Sequence, residues 1–423
     1  MRKVIILLIL LLPIFLYFFF QKRTTNYVPP KSQIKQEEIY RGISYEAVNP
    51  DIYQITLLSN KLVSPTRLRL TPDGQHLLVS QITGEILSFD RIATGWSETP
   101  YLVTRIDTKF PGFPPDEAGL TGIVLSKNFD QNGKLFLLYT YKDKDGTVQN
   151  RVSVTLLKDV NGKLKGTQPE LIYQANVAGA GSHQITDGAS LDINNQPHLL
   201  LAIGEGFDSK RAQDPNLEGG KIILIQEDGR DPLGIRPYEN SKIEVVGIRN
   251  AYVMANNPDT QNSFLIADLG PDKYDRLIYT KVGTGAKLNF NWNGDPEKLK
   301  EPIPDPNDFK IKDMIVYRLP EPMTFTGLKF FPDRSNQILA VLFGQTGSTQ
   351  NSPGKEIWLG KMTNPAGQPK ISFETIIKRV KEADGKLGNP IGLEIDPQTN
   401  NFFFADIMEG RVYMVGSKEE KDK

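Results

Sequence analysis

The chain has 423 residues, enough for one large core or several small ones. Its 50 Lys plus Arg balance its 50 Asp plus Glu, which argues against a general nucleic-acid binder, whose affinity rests on neutralising phosphates. Cysteine is absent, so disulfides, thiolate metal sites and cysteine nucleophiles are excluded, while 36 Gly and 29 Pro suit a turn-rich all-β chain.

Residues 1–23 open with Arg2 and Lys3, and Val4 to Phe20 is unbroken apolar sequence. Seventeen such residues lie at the short end of a spanning helix. No small-x-small cleavage site follows, so the segment reads as an uncleaved signal anchor with the body on the extracytoplasmic side. Residues 24–50 are polar, carry Pro29-Pro30 and read as a stalk, and 418–423 form a charged tail.

From Asp51 one pattern recurs: an apolar strand, a Pro-Asp-Gly or Asn-Gly type of turn, a more hydrophobic strand, a polar stretch and a short closing strand. Copies begin at Arg67, Gly119, Gly188, Thr326 and Ile391, and another spans Val245 to Asn293. That last copy reads as three strands, VVGI, SFLIAD and RLIYT, with the Leu269-Gly270-Pro271 corner between the second and third. Six units over residues 51–417 predict a six-bladed β-propeller, in preference to a pair of β-sandwiches, because no composition break interrupts them. Asp51 to Leu58 is placed to close the ring by pairing with the last blade. The longest polar insert, Asp295 to Lys312, has no amphipathic helical pattern.

Three histidines are present. His76 follows a turn and His198 lies in a strand pair, and both read as structural or solvated. His183, in the Gly-rich stretch AGAGSHQITDGAS with Asp187 nearby, is a candidate general base with a carboxylate neighbour; the alternative is a loop histidine facing water. Arg249 and Asn250 follow an apolar strand, where they suit a carboxylate ligand or, equally, a tie between blades. Gly270 and Pro271 offer carbonyls to a hard cation, with Asp268, Asp272 and Asp275 around them, or are simply a tight turn. The loop Gly204 to Asp214 is acidic, with Glu205, Asp208 and Asp214, but lacks EF-hand spacing. Walker, HExxH and Gly-x-Ser-x-Gly motifs are absent.

The segments EAGLTGIVLSKNFDQNGKLFLLYTY, AQDPNLEGGKIILIQEDGRDP, VVGIRNAYVMANNPDT and ADLGPDKYDRLIYTKVGTGAKLNFNWN resemble the glucose/sorbosone dehydrogenase family in order and spacing, over about Asp51 to Gly416. The resemblance implies a six-bladed propeller that binds pyrroloquinoline quinone (PQQ) on its axis with Ca2+ and oxidises a sugar hydroxyl with a histidine base. It implies cofactor contacts for Arg249, Asn250 and Glu117, the last standing where the family often has Gln. It implies metal-holding carbonyls for Gly270 and Pro271, and His183 as the base. Two departures stand out. A gap-free match puts Thr186 at the base position, and Asn389 and Ile391 stand where the family has an arginine pair. The function expected is a membrane-anchored, PQQ-dependent sugar dehydrogenase. The rivals are a non-catalytic propeller binding a glycan or protein on the same face and a metal-dependent lactone hydrolase.

Overall fold

A computed structural model describes residues 42–110, 117–178, 181–234, 236–344, 354–364, 367–380 and 388–418. The chain divides into Met1–Arg41 and Gly42–Lys423, and the description concerns the second unit. The expected anchor, most of the stalk and residues 419–423 lie outside the described residues.

Six antiparallel sheets follow one another along the chain. Blade 1 holds Pro65–Leu70, His76–Gln81, Glu85–Ile92 and Tyr101–Arg105. Blade 2 holds Leu120–Leu125, Lys134–Lys142, Val148–Val160 and Glu170–Ala178. Blade 3 is built from Ile185–Ile193, Gln196–Ile203, Lys221–Gln226 and Ile243–Val246, with Leu288–Asn289 added in parallel. Blade 4 is built from Ala251–Asn256, Ser263–Asp268, Asp275–Lys281 and Ile315–Leu319. Blade 5 contains Phe325–Phe331, Arg334–Leu342, Glu356–Thr363 and Lys370–Arg379. Blade 6 contains Pro390–Ile395, Phe402–Asp406 and Arg411–Ser417. Its fourth strand is Tyr53–Ser59, which pairs with Arg411–Ser417 and closes the ring as the sequence predicts. Each blade is covered on both faces, so its central strands are continuous apolar runs, such as Leu199–Ile203, Leu339–Leu342 and Phe402–Ala405, all buried.

Two boundaries differ from the expected ones. VVGI belongs to blade 3, through Val245 opposite Ile222. The inner strand of blade 4 is instead Ala251–Asn256, which pairs with Ser263–Asp268. Within the expected stalk, Tyr45–Ala47 pairs with the outer strand of blade 5. Buried polar contacts fix it there: the Tyr45 hydroxyl donates to Asp406 at 2.7 Å, and Arg411 donates to the Gly42 carbonyl and the Ser44 hydroxyl.

The axis is organised by one repeated irregularity. The innermost strand of every blade carries a β-bulge near its start. In four blades the bulged residue is a threonine whose hydroxyl reaches the first residue of the next blade's inner strand. Thr66 donates to the Leu120 carbonyl, Thr121 to Ile185, Thr186 to Ala251 and Thr326 to Pro390. Tyr252 takes this place in blade 4. The carbonyls of Thr186, Tyr252 and Thr326 are met by one side chain, Arg67 from blade 1, at 3.3, 2.6 and 2.8 Å. Its guanidinium is 2% exposed, lies over the Tyr252 ring and stands 3.6 Å from the Asp187 carboxylate. Asp187 also accepts from Arg69 and from the Met254 amide. Arg67 therefore plugs the channel by joining blade 1 to blades 3, 4 and 5.

Truncating Arg67 to alanine leaves three carbonyls unmet inside the ring, while Asp187 keeps Arg69 and the Met254 amide. Buried acceptors left unpaired cost about 1–3 kcal/mol each, so the loss is about 3 kcal/mol or more. Denaturant unfolding of Arg67→Ala should show a loss of this size, with Arg67→Lys recovering only part because an ammonium cannot span three carbonyls.

Candidate functional site

The loops that enter the six inner strands open on one face, above Arg67. The small axial cavity on this face, about 50 Å3, is lined by Thr66, Thr121, Tyr252, Thr326, Glu117 and the apolar wall Ile82, Phe343 and Ile407. Burial pushes the Tyr252 phenol up to about 12, so it stays neutral. Three threonine hydroxyls of this lining are spent on neighbouring blades, which leaves Glu117 as its one charged group.

His183 sits beside this cavity in a left-handed conformation, φ +56°, which a β-carbon disfavours. It is 7% exposed. Its Nδ1 has no hydrogen-bond partner among the described residues, and the nearest carboxylate is Glu205 at 3.6 Å. Gly204 must be glycine here, because a β-carbon would stand 2.6 Å from the His183 carbonyl group. The following turn returns Phe207, also left-handed at φ +62°, over the imidazole with ring centres 4.2 Å apart. Phe207 remains 65% exposed. A histidine and a phenylalanine both held at positive φ and stacked on each other are a strained pair of the kind that collects at binding sites.

The carboxylate beside His183 is thus Glu205 and not Asp187, as the sequence suggests. The Thr186 bulge turns Asp187 toward Arg69 and Arg67, while the loop after Ile203 brings Glu205 back. Glu205 is buried, accepts from the Trp292 indole and lies on the Arg249 carbonyl through its own amide. Thr186 is buried with its hydroxyl committed to Ala251, so it has no free group for proton transfer. Glu117 accepts from Ser182, the residue before His183, and so joins the same cluster. His76 pairs with Asp90 at 2.8 Å, and His198 is fully buried between the Gln196 carbonyl and the Leu233 amide; both are structural.

Arg249 and Asn250 occupy the crossing from blade 3 to blade 4. Both of their amides donate to Asp268 at 3.0 Å. The Arg249 guanidinium donates to the carbonyls of Leu269 and Gly270, each at 3.0 Å. Burial pulls it below the ordinary arginine value, opposed by Glu205, Asp268, Asp275 and Glu117. The side-chain oxygen of Asn250 is buried without a partner among the described residues. It and His183 Nδ1 are both polar atoms without a partner among the described residues, joined through Glu205, whose amide bonds the Arg249 carbonyl.

The Gly270-Pro271 corner is less acidic than its sequence suggests. Asp268 is bonded to Arg276 at 2.7 Å, with both side chains fully buried. Asp275 accepts from the amides of Gly270, Met323 and Thr324, and Asp272 is exposed. Among the described residues no three His, Cys, Asp or Glu side chains gather around one point. The Gly270 carbonyl holds a guanidinium, and Pro271 lies at the surface. At the positions where the resemblance places an arginine pair, Asn389 donates to the Phe343 carbonyl and Ile391 is buried in an apolar cluster with Phe343 and Ile407.

Asp275 carries a pH signature. Burial raises its carboxyl to about 6 against three amide bonds that pull it down. Its unfolded value lies near 4. The folded state therefore binds the extra proton, and the stability this gives is complete below about pH 4 and lost as pH rises through about 6. Asp275→Asn should remove that falling segment of the stability–pH curve, measured as unfolding midpoint between pH 4 and 7.

The profile of the glucose/sorbosone dehydrogenase family matches residues 62–293, more than half of the chain. The chain is 24% identical over 248 residues to the aldose sugar dehydrogenase YliI of Escherichia coli K12, a match covering 57% of this chain and 62% of that protein. Among solved structures, the apo form of the soluble aldose sugar dehydrogenase of Escherichia coli superposes with a TM-score of 0.64 at 19% identity, covering 86% of this chain and 99% of that one. The PQQ-bound aldose sugar dehydrogenase of Streptomyces coelicolor superposes with a TM-score of 0.62 at 17% identity, covering 87% and 99%. The structural likenesses speak for the propeller, and the profile match over the strands and loops that build the site shows that the chain belongs to the glucose/sorbosone dehydrogenase family.

Proposed function

We propose that the chain is a sugar dehydrogenase of the PQQ type, acting at the mouth above Arg67. The observation that carries this reading is the buried, left-handed His183 with its Nδ1 turned to Glu205 and its ring covered by exposed Phe207. Glu205, fixed by Trp292, stands 3.6 Å from Nδ1 on one side of the ring, which leaves Nε2 to take the proton of a sugar hydroxyl. The exposed face of Phe207 gives the apolar side of a pyranose a surface to lie on.

The residues fit a carboxylated quinone along one edge. Arg249 would meet a quinone carboxylate as a cation, the Asn250 amide oxygen is an acceptor for a donor on the quinone and not for its carboxylates, and Glu117 in the axial cavity bears the same sign of charge as those carboxylates. When bound, the quinone supplies the two-electron acceptor for the hydrogen leaving the sugar carbon. The opposite wall, Ile391, Phe343 and Ile407, contributes no second cation, so Arg249 carries the charge contact alone. Ca2+ at the Gly270-Pro271 corner would require Arg249 to release the Gly270 carbonyl and turn to the quinone instead. The second reading, a propeller that binds a glycan without oxidising it, is favoured by that apolar wall. We also assign residues 1–23 as a membrane anchor and the ring to the extracytoplasmic side, on the apolar run Val4 to Phe20.

Full-length protein mixed with PQQ and Ca2+ should reduce a dye in an aldose-dependent manner. His183→Ala should lower turnover by about a hundredfold to ten-thousandfold while quinone binding, read by absorbance, stays. Arg249→Ala should show the reverse pattern, with weakened quinone binding. Saturable aldose binding without any dye reduction would establish the second reading. Carbonate washing should leave the chain in the membrane fraction, and its release would remove the anchor.

A further inference from the structure

Below the Arg67 plug the channel widens into a second chamber of about 370 Å3, within the size range of small-molecule sites. All six inner strands line it. Its charged groups are arranged with one polarity. Arg69 pairs with Asp187 at 3.0 Å, and the arginine is 17% exposed against 1% for the aspartate. Lys329 pairs with Glu394 at 2.7 Å, and the lysine is 36% exposed against 5% for the glutamate. In both pairs the carboxylate is sunk into the wall and the cation faces the open space. Between them the surface is aliphatic, with Leu70, Val124, Val253 and Leu393. Arg67 in the roof adds a third positive charge, against two carboxylates in all. The Ser190 hydroxyl is already given to Glu227, so the chamber's polar recognition groups are the cations and the exposed Asn256 carboxamide.

We propose that this lower chamber binds a small organic anion, a single carboxylate on a short apolar body, at a site separate from the upper mouth. The carboxylate meets the solvent-facing sides of Lys329 and of Arg69, which also donates to the Leu68 carbonyl at 2.9 Å. The apolar body lies against the aliphatic wall, which a phosphate or a free sugar would leave unsatisfied. Arg67 fills the axis between the two chambers, so occupation of the lower one does not depend on the reading given to the upper one.

The test is calorimetric titration of the full chain with hexanoate, 1-hexanol and hexylamine. Hexanoate should bind saturably, with hexanol at least about tenfold weaker and hexylamine weaker still, as loss of a charge-assisted contact predicts. The double variant Lys329→Gln with Glu394→Gln keeps the wall free of unpaired charge and should weaken hexanoate by about tenfold or more, while His183→Ala should leave it unchanged. The comparison of the three probes on unaltered protein decides the matter even if the double variant does not fold. Absence of saturable hexanoate binding up to about 10 mM, equal binding of hexanol, or undiminished binding by a folded double variant would each overturn the proposal.

Discussion

A propeller has no edge-to-edge hydrogen bonds between its blades, so something must hold the inner strands at a fixed radius. Here that constraint is a buried guanidinium. In blades 3, 4 and 5 the bulge of the inner strand turns a carbonyl toward the axis, and an unpaired carbonyl there would cost as much as any other buried acceptor. Arg67 answers three of them with one planar donor set and is neutralised by Asp187. The threonine hydroxyls add the tangential links, blade to next blade, and Arg67 adds the links across the diameter. The same side chain closes the axis, so the fold's main tie also separates one mouth of the channel from the other.

The site proposed above Arg67 follows from how little room the ring leaves. Inner-strand threonines are consumed by packing, so reactive groups must come from the entering loops. His183 and Phe207 reach their places only by adopting left-handed backbone, and Gly204 is needed to let the two loops approach. That strain is held by the buried Glu205–Trp292 contact and by the bond from the Glu205 amide to the Arg249 carbonyl, which link the loops of blades 3 and 4 into one unit. Arg249 and Asn250 are fixed in turn by Asp268, itself paired with Arg276 in the core. The site is thus attached to the scaffold through two buried carboxylates.

Much of the ring was legible in the sequence because each blade buries both faces and so repeats the same apolar runs between the same turns. The closing strand was legible for the same reason. The start of blade 4 was not: VVGI and AYVMAN are both good strands, and only tertiary pairing assigns the first to blade 3. Tyr45–Ala47 was hidden because three residues in polar surroundings carry no period, and its place is set by Asp406 and Arg411, far along the chain. At the site, residue type and loop position single out Arg249, Asn250 and His183 as candidates, but the carboxylate beside His183 is not the one the sequence suggests. Asp187 is four residues away in sequence, yet the bulge at Thr186 rotates it into the channel, and Glu205 arrives through a loop that no local pattern encodes. Nothing in RLRLTPDG singles out Arg67, since the bulge that turns it inward leaves no mark on the alternation.

The central claim is that sugar chemistry is confined to the mouth above Arg67 and built on the loops of blades 2 to 4. Hydrogen exchange of the backbone amides, with and without aldose plus quinone, tests it most directly. The account predicts added protection at 181–186, 204–207, 249–252 and 269–270, and none at 187–190, 253–256 or 327–330 on the other side of the plug. Protection centred on the lower stretches, with the upper loops unchanged, would contradict it.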